Sequence, residues 1–131
     1  MEDDMANNYQ QATVEPTNLS KHLFTEEDLR ILALSGIEWE DNGDSYYFFA
    51  PEFLCEDGDH SRTYCDVFQD GIRRSHGNVE EVVINGASTC SKMRPGEFGG
   101  FVIRISKNEI QSASTSEMLE LMQNGRWPLE L

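Results

Sequence analysis

Several things this chain lacks narrow its reading. No apolar run approaches the ~20 residues that cross a bilayer, so no membrane association is expected. The first residues, MEDDMANNYQQ, have neither the basic start nor the apolar stretch of a secretory leader. A cytoplasmic location is the corresponding expectation. Cysteine is scarce: Cys55, Cys65 and Cys90 are an odd set with no export signal, which argues against a disulfide framework. No CxxC or HxxxH pair presets two ligands for a metal, and no GxxxxGK[ST] run cradles a phosphate. Neither a metal nor an organic cofactor is therefore expected. Asp57-Gly58-Asp59-His60 has carboxylates near a glycine, but the spacing is not that of a calcium loop.

Positive charge is also scarce. The 131 residues hold 10 Lys/Arg against 24 Asp/Glu, a net −14. The imbalance is uneven: residues 1–60 carry 15 carboxylates and 2 cations, a balance of −13, while residues 61–131 carry 9 and 8, a balance of −1. Such a chain repels phosphates, so direct nucleic-acid binding is not expected. Acidity of this size serves solubility. It also suits a face that meets a basic partner.

The length fits one domain with a core of its own. Residues 1–18 are polar and acidic and read as a disordered tail, with a single α+β domain over 19–131. In HLFTEEDLRILALSG, Thr25 is an N-cap with Asp28 three residues on, close to a capping box. Leu29, Leu32 and Ala33 share one side, and Gly36 ends the helix. IEWEDNGDSYYFFAP reads as a hairpin, its turn placed at Asn42-Gly43, where Asn-Gly accepts positive φ at both central positions. Tyr46–Phe49 are four consecutive aromatics, two per sheet face; core on both faces is expected. From Ser61, residues Tyr64, Val67, Phe68 and Ile72 keep the helix period up to Arg74, with Gly71 counting against it. EEVVING and FVIRISK read as strands, and Ser114-Thr-Ser-Glu117 as a full capping box before a third helix. Trp127 is expected to pack against the body. The order α-β-β-α-β-β-α implies an α+β fold, with a mostly antiparallel sheet of about four strands and three helices packed on it.

Two regions carry the functional candidates. The first is acidic: Glu38, Glu40, Asp41, Asp44, Glu56, Asp57 and Asp59 surround the hairpin and the loop after it. Together they suit a non-catalytic protein that occludes a basic surface, such as that of a nuclease or nucleic-acid-binding protein, in the manner of immunity proteins and phage- or plasmid-encoded inhibitors. The second is GASTCSKMRPGEFGG, residues 86–100, between two strands. Cys90 beside Lys92 and Arg94 is a thiol with cations near it, and Met93, Arg94 and Phe98 have the composition of an interface anchor. A small enzyme or ligand-binding domain centred on Cys90 and Arg94 is the alternative, although no histidine is placed beside the thiol as a base. A DNA mimic, with carboxylates spaced like phosphates, is a third reading.

Overall fold

A computed structural model describes residues 8–54, 62–90 and 99–126. Helix α1 spans Glu26–Leu34, and its cap is the expected one in full. Thr25 Oγ1 accepts from the Asp28 N–H at 3.1 Å, and Asp28 Oδ2 accepts from the Thr25 N–H at 2.9 Å. Helix α2, Tyr64–Arg74, starts on an equivalent pair that the sequence reading passed over, Thr63 and Asp66. Gly71, counted against this helix, has a packing reason: a Cβ there would lie 3.3 Å from the Phe24 ring. Helix α3, Thr115–Gln123, begins at Ser114, whose hydroxyl accepts from the Glu117 N–H at 3.3 Å. The full box expected there is not formed. The Glu117 carboxylate accepts from the Ser114 hydroxyl instead, and Ser114 itself is the last residue of a strand.

The sheet has seven strands rather than about four. They are β1 (Asn8–Glu15), β2 (Leu19–Ser20), β3 (Glu38–Asp41), β4 (Ser45–Ala50), β5 (Glu81–Cys90), β6 (Gly99–Ser106) and β7 (Ile110–Ser114). All pairings are antiparallel, in the order β3-β4-β1-β5-β6-β7; β2 lies on the same edge of β4 as β1, with Leu19 opposite Tyr46. A 3₁₀ turn, Lys21–Leu23, joins β2 to α1.

The largest departure from expectation is β1. From Asn8 onward the segment read as a disordered tail is a central strand, paired with β5 from Asn8↔Cys90 to Glu15↔Val83 and with β4 at Ala12↔Ala50 and Thr13↔Phe49. A strand bonded on both edges gets its order from the two ladders. It needs apolar side chains on one face only, and here Ala12 and Val14 supply them. The connection read as residues 86–100 shrinks for the same reason. β5 continues to Cys90 and β6 begins at Gly99.

The hairpin is where it was expected, with its turn one residue later. Asn42 N–H donates to the Ser45 carbonyl at 2.9 Å, so Gly43 and Asp44 are the central residues, and Gly43 has φ +94°. Glycine at the first central position is the requirement of the type II′ turn.

One face of the sheet holds the core. Even-numbered residues of the central strands (Ala12, Val14, Phe48, Ala50, Val82, Ile84) and odd-numbered Ile103 and Ile105 of β6 pack with Ile31 and Leu32 of α1 and with Tyr64, Val67, Phe68 and Ile72 of α2. Phe48 is the hub, with ring centroids of Phe24 at 5.0 Å and Phe68 at 5.5 Å. Asp28 is buried at the edge of this core. Its Oδ2 accepts from Arg74 Nη1 at 2.6 Å, and its Oδ1 lies 2.6 Å from Arg62 Nη1. The Oδ1 contact lacks hydrogen-bond alignment and is an ion pair only. The expected place of Trp127 lies outside the described residues.

Candidate binding face

The second face of the sheet is different in kind. Gln11, Thr13 and Glu15 of β1, Tyr47 and Phe49 of β4, Val83, Asn85 and Ala87 of β5, and Val102 and Arg104 of β6 point to it by strand alternation, and none of them is buried. Core on both faces was expected for Tyr46–Phe49. The structure corrects this: Phe48 is fully buried and Tyr46 packs against the core, while Tyr47 and Phe49 remain half-buried on the open side, outside the core cluster. Their ring centroids are 5.4 Å apart and the planes differ by 32°, so the two rings form a nearly continuous aromatic surface.

The hairpin carboxylates divide between the faces. Glu38 is opposite Phe49 and Glu40 opposite Tyr47, so both acids join the aromatic pair on the open face. Asp41 is opposite Tyr46, on the core side. There Lys21 Nζ holds it at 2.5 Å, with the ammonium 5.4 Å from the Tyr46 ring centroid. Lys21 and the Gly43 N–H together hold the Asp41 carboxyl below its ordinary pKa. Asp44 is exposed in the turn. Glu56, Asp57 and Asp59 lie outside the described residues. The structure therefore assembles Glu38 and Glu40 and sets Asp41 apart.

A groove of about 520 Å³ opens on this face, bordered by Gln11, Thr13, Glu40, Tyr47, Phe49, Pro51, Asn85 and Ala87, with Ala12 and Ala50 at its base. Sequence reasoning missed its walls on β1 and β5. The signal was the alternation in QQATVE, where Gln11 and Thr13 flank Ala12.

The second candidate region is residues 86–100. Lys92, Met93, Arg94 and Phe98 lie outside the described residues, and Cys90 is placed only as the last residue of β5, opposite Asn8. Phe101, just past that region, stacks on Phe53 at 5.7 Å and covers Gly86. Cys65 is half-buried on α2, packed against the core. Among the described residues no three His, Cys, Asp or Glu side chains gather to hold a metal, and no helix is long and apolar enough to cross a membrane. Compared with known proteins, the chain matches no family model, no curated protein and no solved structure.

Proposed function

We propose that this chain is a small acidic binding protein, without chemistry of its own, that covers a basic surface on a partner protein such as a nuclease or nucleic-acid-binding protein. The observation that carries the reading is the company Glu38 and Glu40 keep. Two exposed carboxylates stand directly opposite two half-buried aromatic rings, on a sheet face none of whose described side chains belongs to the core. Apolar contact area edged by carboxylates is the composition of an electrostatically steered interface.

The test is capture at low salt, followed by titration of the purified pair. The expected partner is basic, its association slows as ionic strength rises, and Glu38→Gln with Glu40→Gln weakens it. A partner whose affinity ignores both the salt and the double variant refutes the reading.

A further inference from the structure

We infer that the groove beside Tyr47 and Phe49 receives an arginine side chain of the partner, its guanidinium stacked on the two rings and paired with Glu40. The inference rests on the binding role proposed above and narrows it to one anchor. Glu40 borders the groove and is the cross-strand neighbour of Tyr47, and side chains so placed stand about 5 Å apart at Cβ. A ligand atom group entering there meets a negative charge and a π face at once.

That pairing selects its occupant. A guanidinium is flat and forked, so it can lie on an aromatic surface and still present two N–H groups edge-on to a carboxylate. A lysine ammonium is a compact, strongly hydrated point charge that makes one of the two contacts well. Gln11 on β1 and Asn85 on β5 also border the groove and bring amide acceptors to it without adding charge. Charge also separates this groove from two others of similar size. One, about 500 Å³, is bordered by Arg74, and another, about 600 Å³, by Arg73 and Lys107 together with Glu80; the groove at Tyr47 is bordered by a carboxylate and no Lys or Arg.

The probe is the tripeptide Gly-Arg-Gly, blocked at both ends, with lysine and citrulline versions beside it. Each is titrated at low salt into the ¹⁵N-labelled full chain and followed by amide shifts. Expected are saturable shifts at Thr13, Tyr47, Phe49 and Asn85, with affinity for arginine about two- to fivefold above lysine. Citrulline, which keeps the shape and loses the charge, gives no saturable shift. Glu40→Gln and Phe49→Leu each weaken the arginine peptide by about two- to fivefold. Phe49→Leu keeps apolar bulk and removes the π face, and Glu40→Gln changes an exposed side chain, so the fold stands in both. Equal affinity for arginine and lysine, shifts centred elsewhere, or indifference to Glu40→Gln overturns the inference. A salt-dependent basic partner that ignores both variants overturns the anchor and leaves the binding role standing. Arginine binding in the groove with no salt-dependent partner does the reverse.

Discussion

Replacing Asp28 with alanine removes three contacts at one stroke, and their sizes can be worked from the geometry. The first is the reciprocal cap on α1, where Oδ2 accepts the Thr25 N–H at 2.9 Å; losing a cap costs about 1 kcal/mol. The others are the Arg74 bond and the Arg62 ion pair, each at 2.6 Å. Breaking a fully buried pair costs about 3–5 kcal/mol, because the surviving charge is stranded. That figure is too high here. Arg62 and Arg74 are 30% and 39% exposed. Each also keeps another partner: Arg62 Nη2 donates to Asp70 Oδ2 at 2.6 Å, and Arg74 Nη1 donates to the Leu23 carbonyl at 2.9 Å. Neither guanidinium is stranded, so each contact contributes nearer 1 kcal/mol. The sum is about 2–4 kcal/mol, against a total stability of about 5–15 kcal/mol for a domain. Asp28→Ala should fold at room temperature and melt roughly 8–15 °C lower. Urea unfolding followed by circular dichroism measures the loss directly. A loss below about 1 kcal/mol would refute the clamp, since the cap alone would then account for everything.

The same carboxylate gives a pH dependence. Burial pushes the Asp28 carboxyl up, but the Thr25 N–H bond and the Arg74 and Arg62 guanidiniums outweigh it and hold the folded value below the ordinary 3.8. Its contribution is therefore fully present above about pH 4 and lost as pH falls through the lower folded value. The stability gap between the natural chain and Asp28→Asn should stay constant from pH 7 to 5 and close in acid; a gap that widens in acid overturns the assignment. At the other end of the core, a Cβ on Gly86 would sit 2.0 Å from Phe101 Cζ, and that ring is held by its stack on Phe53. Gly86→Val should cost about 1–3 kcal/mol by overpacking, read as a lower urea midpoint at unchanged slope; an unchanged midpoint would mean that the ring moves aside freely.

Periodic apolar patterns carried most of what the sequence disclosed. Leu29 and Leu32, then Tyr64, Val67, Phe68 and Ile72, mark α1 and α2 because one helix face must enter the core. β1 escaped because a central antiparallel strand with one open face spends half its residues on water; Gln11, Thr13 and Glu15 look like a tail until β4 and β5 flank them. β7, Ile110–Ser114, escaped for a related reason: it is a polar edge strand with no buried residue. The candidate site was legible in part. The acidic hairpin was visible as composition, but which of its carboxylates share a face depends on register, and a strand's faces exchange with every one-residue step. That rule parts Glu40 from Asp41. The Asp28 clamp joins residues 46 positions apart in the case of Arg74, and no local pattern encodes such a contact.

The distribution of ion pairs bears on what the acidity is for. Among the described residues, Glu27 pairs with Arg30, Asp28 with Arg62 and Arg74, Asp41 with Lys21, Asp70 with Arg62 and Arg73, and Glu81 with Arg104. Glu38, Glu40 and Asp44 make no such pair and are exposed, as are Glu15, Glu26, Glu52, Glu80, Glu109, Glu117 and Glu120; what sets Glu38 and Glu40 apart is their place opposite Phe49 and Tyr47. Glu38 and Glu40 lie two residues apart on one face of a strand, about 7 Å at the usual rise. That is inside the Debye length of about 8 Å at physiological ionic strength, so they repel one another in the free chain. β3 is also an edge strand, where a lysine would serve equally well to discourage edge pairing, and it would have relieved the repulsion. Charge on this edge guards β3 against pairing with another strand, and the same two acids beside Tyr47 and Phe49 are what the proposed binding role uses. In the proposed complex a cation between those acids and the rings relieves the repulsion, so the coupling between Glu38 and Glu40 itself favours the occupied state.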